Sequence, residues 1–106
     1  MSWSTDIFPL MQGTWGCTST TCHGGASDTP FMTGSASAVY ASLAEYTTLD
    51  SLPFVNPCST DPAESTFVCA LTPGGCGILM PEAPGTMTDG GVEEISTWVS
   101  CGAPQN

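Results

Sequence analysis

Residues 17–23 read Cys17-Thr18-Ser19-Thr20-Thr21-Cys22-His23, and this stretch decides how the rest of the chain must be arranged. It holds two of the six cysteines and the single histidine of a 106-residue chain. Four residues separate the two cysteines, and the histidine directly follows the second one. Two thiols and one imidazole on a short loop can therefore act together on a single bound group.

Two cysteines with a histidine directly after the second are typical of covalent haem attachment. The Cys17 and Cys22 thiols would add to the two vinyl groups, and His23 would present a neutral imidazole to the iron. The usual spacing has two residues between the cysteines, whereas this chain has four. The longer spacer would bulge the loop and still let both sulfurs reach opposite edges of one ring. The sequence thus predicts one covalent haem c.

Met80 is the predicted second ligand of the iron. It follows a Gly-rich turn over residues 74–77 and precedes Pro81. A thioether held on a loop by a following proline can lie opposite the imidazole, where it favours ferrous iron. Met87 is the alternative ligand.

The order of these motifs resembles the bacterial cytochrome c-like domains of surface and periplasmic proteins. The resemblance covers nearly the whole chain and rests on residues 6–9, 17–25, 76–81, 92–99 and 102–104. It implies a class I cytochrome c fold, in which the N- and C-terminal helices cross and a histidine and a methionine bind the iron. The cysteine spacing departs from the commonest pattern of the family.

Helical patterns occur in three parts of the sequence. Thr5 and Asp6 would begin a short apolar helix that Gly13 ends, and an Ala-rich pattern predicts a second helix over 35–46. The last helix would be capped by Thr88 or Asp89, with one apolar stripe formed by Val92, Ile95, Trp98 and Val99. Residues 52–85 are crowded with Pro and Gly, which favours loops.

Three short helices bury little surface in a chain of this size, so a bulky cofactor would supply much of the core. We therefore predict an all-α, small cytochrome c-like fold of about three short helices, with long Pro/Gly-rich loops wrapped around one covalent haem. Residues 1–106 would form a single domain.

The charge of the chain excludes several classes of partner. It contains no Lys or Arg and has a formal net charge of −10, so it cannot neutralise nucleic-acid phosphates or anionic lipids. No apolar run approaches the length of a membrane span. Six cysteines favour an oxidising compartment, extracellular or at the cell surface, with the periplasm as the alternative. The first residues lack the features of a signal peptide, so a leader would already have been removed.

Four cysteines lie outside the haem loop, and four cysteines allow three pairings. We favour Cys58–Cys69, which closes one loop, and Cys76–Cys101, which ties the methionine loop to the last helix. Without Lys or Arg, the haem propionates would be bound by indole N–H groups, Tyr hydroxyls, backbone amides, water or a cation. Trp15 is the first candidate because it lies close to the haem motif.

The predicted activity is one-electron transfer, and we do not predict an enzyme. Both axial positions would be filled by protein, so a peroxidase-like activity would require displacement of Met80. The expected partners are redox proteins and further copies of the chain, in a homo-oligomer or extracellular filament.

Two alternatives use the same cysteines. Cys17, Cys22 and His23 could bind zinc together with another cysteine, although structural zinc sites rarely use an adjacent Cys and His. All six cysteines could instead form three disulfides in a secreted binding or structural module without haem.

Overall fold

The computed structural model describes residues 1–25, 29–47, 51–57, 59–77, 79–81 and 87–106. A π-helical stretch, Trp3–Ile7, runs directly into α1 (Phe8–Gln12). It is followed by α2 (Ala36–Glu45), a 3-10 turn (Pro62–Glu64), α3 (Thr66–Leu71) and α4 (Gly91–Ser100). The described β pairing is an isolated bridge between Thr47 and Pro53. The fold is all-α, as predicted.

The first helix starts earlier than the sequence predicts. Its N-cap is Ser2, and Asp6 is used inside the helix, where its carboxylate accepts a hydrogen bond of 2.5 Å from the Ser2 backbone N–H. A carboxylate in the first turn satisfies a backbone donor that the helix itself cannot pair. Gly13 ends α1, as expected.

α2 is capped by Ser35, and the cap of α4 differs from the predicted one. Ser35 Oγ accepts a hydrogen bond from the Ala38 N–H at 3.2 Å. α4 is instead capped by Gly90, which has a left-handed backbone, and the hydroxyl of Thr88 is used elsewhere, by Trp15. The last helix therefore begins two to three residues after the predicted cap.

α3 lies in a region for which the sequence predicts loops, and that part of the prediction is wrong. The run from Thr66 to Leu71 contains no Gly or Pro. Phe67 and Leu71 are buried, and the Phe67 ring packs on Phe54 with 5.2 Å between centroids. The Phe67 N–H also donates to the Phe54 carbonyl at 3.0 Å. Contacts with residues distant along the chain therefore stabilise this short helix.

The centre of the core is an aromatic cluster where the two ends of the chain meet. Trp3 stacks on Trp98 with 5.4 Å between centroids, and Tyr40 meets both rings edge-on. The Tyr40 hydroxyl donates to the Ala103 carbonyl, and the Trp3 indole donates to the Ala36 carbonyl, each at 2.6 Å. The N-terminal helix, α2 and α4 are thus in contact through a few large side chains.

The remaining core lies between this cluster and the loop over 17–23. The other fully buried apolar side chains include Ile7, Met11, Val39, Leu43, Val55, Ile95 and Val99. Cys17, Met80 and Met87 are partly buried against the same core. No helix in the described part of the chain is long and apolar enough to cross a membrane.

Candidate functional site

The candidate site begins where α1 ends. The Trp15 N–H donates to the Leu10 carbonyl at 2.8 Å, and the Cys17 N–H donates to the Met11 carbonyl at 2.9 Å. These two bonds attach the start of the loop to the last turn of the helix. Cys17 is therefore held at the edge of the core rather than on a free loop.

The spacer between the cysteines is a compact turn. The Cys22 and Gly24 N–H groups both donate to the Ser19 carbonyl, at 3.0 and 2.8 Å. The His23 N–H donates back to the Cys17 carbonyl at 3.1 Å, which brings the first and last residues of the motif together. A Cβ at residue 24 would overlap the Thr18 carbonyl oxygen, so the turn requires Gly24.

Both cysteines of the loop are free, half-buried thiols. Burial is the main reason why the pKa of the Cys17 thiol is raised to about 11; a hydrogen bond from the Cys17 backbone N–H lowers this pKa, and the nearby Cys22 adds a smaller rise. Cys17 consequently keeps its proton at neutral pH.

His23 carries the clearest sign of a missing partner. Its Nδ1 is buried and has no hydrogen-bond partner within the described ranges. Buried side-chain nitrogens are nearly always paired, so such an atom requires an explanation. The His23 carbonyl accepts a bond of 2.8 Å from Met32, which holds the following segment over the loop. Gly24, Gly25, Phe31 and Thr33 line an open groove of about 410 Å³ in this region.

Met80 is attached to α3. Its N–H donates to the Ala70 carbonyl at 2.8 Å, and its side chain is half-buried against the core. The side chain of the alternative ligand, Met87, packs closely against the start of α4. A Cβ on Gly91 would lie 2.8 Å from Met87 Cε and 3.1 Å from Trp15 Cζ2. Ligation of iron by Met80 stays a prediction.

Trp15 is buried, and its indole N–H donates to Thr88 Oγ1 at 2.9 Å. The sequence predicts that this N–H binds a haem propionate, and in the structure the donor is already used. Thr88 is an exposed residue, so its own hydroxyl proton can donate in place of the indole. The role of Trp15 toward a propionate stays a prediction.

The disulfide pairing differs from the predicted one. Cys69 pairs with Cys76, across a sequence separation of 7 and a Cα–Cα distance of 5.3 Å. The predicted bridges Cys58–Cys69 and Cys76–Cys101 are therefore wrong. Cys101 is an exposed free thiol, and Cys58 lies outside the described residues.

A tight turn after α3 explains the local pairing. The Gly75 N–H donates to the Thr72 carbonyl at 2.9 Å, and a Cβ on Gly75 would overlap the Cys69 carbonyl oxygen. Only glycine allows the chain to return so closely, and the return places Cys76 beside Cys69. The Gly-rich sequence over 74–77 was the available signal for this pairing.

The structure also bears on the zinc alternative. No group of three His, Cys, Asp or Glu side chains in the described part of the chain is arranged to hold a metal ion. Cys69 and Cys76 are bonded to each other and are not available as ligands.

The side chains of this region are of the kinds that hold a covalently attached haem. Two free thiols and an imidazole with an unpartnered nitrogen share one loop, and a thioether packs against the same core. Comparison with known proteins finds no matching family model, curated protein or solved structure.

Proposed function

We propose that this chain is a c-type cytochrome domain that transfers single electrons. Cys17 and Cys22 would hold one haem by thioether bonds, with His23 on one side of the iron and Met80 on the other. The observation that carries the proposal is the buried, unpartnered Nδ1 of His23, in a loop whose two cysteines are both free. The disulfide formed by two other cysteines adds support, since it leaves the loop thiols unpaired.

Three residues of the loop and of α3's neighbourhood, Cys17, His23 and Met80, would each contribute to binding the haem. Burial keeps the Cys17 thiol protonated, so the sulfur stays neutral in an apolar site until it is used. The hydrogen bond from the His23 N–H to the Cys17 carbonyl holds the backbones of these two residues together, so that the imidazole and the first sulfur start from neighbouring positions. Met80 is held from α3, on a different part of the chain.

A haem bound in this way supplies a one-electron carrier. If His23 and Met80 both bound the iron, side chains of the protein would take the places that oxygen or peroxide would need. We therefore propose an electron carrier rather than an enzyme, with peroxidase-like activity only if Met80 is displaced.

The charge of the chain limits its redox partners. The side chains contribute ten carboxylates and no Lys or Arg, so a docking partner would present a basic or an uncharged surface. Asp89, Glu93 and Glu94 lie at the start of α4, beside the Thr88–Trp15 bond. We propose an extracellular or cell-surface protein, in which copies could form a homo-oligomer or filament through uncharged contacts.

An absorption spectrum tests the proposal. The protein is expressed with a haem-attachment system, purified, and extracted with acid acetone. A Soret band that survives extraction is expected for the wild type and should be lost when Cys17 and Cys22 are both replaced by Ser. Cys101→Ser is the matched control, because it removes an exposed free thiol and should leave the spectrum unchanged.

Variants of the ligands test the axial positions. His23→Ala should abolish the low-spin spectrum. Met80→Ala should remove the weak Fe–S charge-transfer band of the oxidised protein and lower its potential, whereas Met87→Ala should not. Loss of the band in the Met87 variant alone would transfer the ligand role to Met87.

One observation favours a second candidate, a secreted disulfide-stapled module without a cofactor. The rings of Trp3, Tyr40 and Trp98 pack directly on one another, so this part of the core forms without a cofactor. A colourless wild-type protein that unfolds cooperatively would support this module and refute the cytochrome.

A further inference from the structure

The segment that ends at Met80 is attached to the last turn of α3 by two links. The Met80 N–H donates to the Ala70 carbonyl at 2.8 Å. Next to Ala70, Cys69 forms the disulfide with Cys76, whose N–H also lies 3.4 Å from the Cys69 carbonyl oxygen. Both links therefore fall within two neighbouring residues of one helix.

Besides these links, Thr72 is bonded to α3, since its N–H and its hydroxyl donate to the Cys69 and Val68 carbonyls at 3.2 and 2.8 Å. The described residues around it are mostly exposed. Thr72, Pro73, Gly74, Gly75 and Gly77 are exposed, and Leu79 exposes 46% of its surface. α3 has six residues, which is too short to be stable without tertiary contacts. The disulfide is thus the covalent constraint on where Met80 lies.

We propose that the Cys69–Cys76 disulfide is a positioning pair for Met80, and that opening it releases Met80 from the sixth position of the iron. The inference rests on the proposed function. A dithiol reductant would open the bridge by transferring two electrons and two protons to the two sulfurs, while it becomes a disulfide itself. Neither cysteine touches the iron, so both act through the position of Met80.

The size of the effect follows from loop-closure entropy. Removing a cross-link over a sequence separation of 7 increases the freedom of the opened segment by a factor of roughly 50. Opening of the Met80 segment should therefore become more frequent by up to about 50-fold. An added ligand that competes for the iron, such as imidazole, should bind more tightly by a similar factor.

The experiment compares the wild type with Cys69→Ser/Cys76→Ser. The first readout is hydrogen exchange of the Met80 amide, with the Ile95 and Val99 amides of α4 as internal controls. The second is the affinity of the oxidised haem protein for imidazole, followed through loss of the Fe–S charge-transfer band. Cys101→Ser is the control for removing a thiol without opening the bridge.

Faster exchange at Met80 and tighter imidazole binding, with unchanged exchange in α4, would support the proposal. Unchanged imidazole affinity in the double variant would overturn it, even if Met80 exchanges faster. If the double variant does not fold, the Cys101→Ser protein is reduced by dithiothreitol, its two freed thiols are alkylated, the reductant is removed and the iron is reoxidised by ferricyanide. The same measurements are then made, and the same outcomes decide. A wild-type protein without a Soret band would instead refute the proposed function, and it is recognised before any variant is compared.

Discussion

Raising the pH from about 8 to about 11 should destabilise the haem-free protein through the buried thiol of Cys17. Burial raises the pKa of this thiol from 9.0 to about 11 in the folded protein. Between these values the unfolded chain loses the proton and the folded chain keeps it, so the free energy of unfolding falls as the pH rises. A difference of two pKa units corresponds to about 2.7 kcal/mol, fully present below pH 9 and lost above pH 11.

The assay is urea unfolding of the haem-free protein under anaerobic conditions, followed by tryptophan fluorescence at a series of pH values. Tyrosines also titrate in this range, so the quantity of interest is the wild-type free energy minus that of Cys17→Ala. This difference should fall by about 2 to 3 kcal/mol across the series. Cys101→Ala is the control, since the exposed Cys101 thiol should leave the pH dependence as it is in the wild type.

A difference that stays constant from pH 8 to pH 11 would refute the burial of the Cys17 thiol. The same reasoning predicts that the haem-bound protein lacks this dependence, because a thioether sulfur carries no proton. A dependence that persists after haem attachment would show that another group causes it.

Further substitutions test the packing of the loop and of the core. Gly24→Ala should destabilise the protein by at least about 2 kcal/mol and reduce haem incorporation, because the new methyl group would overlap a carbonyl oxygen of the loop. Gly16→Ala in the same loop has nothing within 4 Å and should cost only about 1 kcal/mol, for its left-handed backbone. Trp98→Ala should cost about 3 to 5 kcal/mol in urea unfolding. Trp15→Phe should cost about 1 kcal/mol more in the wild type than in a Thr88→Val background, because only the wild type loses the indole hydrogen bond, whereas the lost packing is common to both.

A specific result would contradict each of these predictions. Equal thermal unfolding temperatures for Gly24→Ala and Gly16→Ala would contradict the closed turn of the haem loop. A loss below about 1 kcal/mol for Trp98→Ala would mean that the aromatic cluster is not the centre of the core. Additive effects of the Trp15 and Thr88 changes would show that their hydrogen bond is not formed in solution.

The helices that could be predicted from the sequence are those with a clear period. α2 follows an Ala-rich pattern with Ser35 as its cap, and α4 follows an apolar stripe. α3 could not be predicted in this way, since six residues are too few to show a period. Its burial depends on Phe54, which is distant along the chain.

Some features of the candidate site could also be predicted from the sequence, and others could not. Cys17, Cys22 and His23 are close in sequence, so their grouping on one loop could be predicted. The disulfide prediction is wrong: the Gly-rich sequence over 74–77 indicates a turn, but not that Gly75 approaches the Cys69 carbonyl oxygen and so brings Cys76 beside Cys69. The bond between Trp15 and Thr88 joins residues 73 positions apart, and nothing in the local pattern indicates it.

Four of the side-chain hydrogen bonds that connect distant parts of the chain are made between uncharged groups. The indoles of Trp3 and Trp98, the hydroxyl of Tyr40 and the amide of Gln105 each donate to a carbonyl or a hydroxyl oxygen. Salt therefore has few attractive charge pairs to weaken in this fold, while it screens the mutual repulsion of ten carboxylates. The melting temperature should therefore rise with sodium chloride concentration.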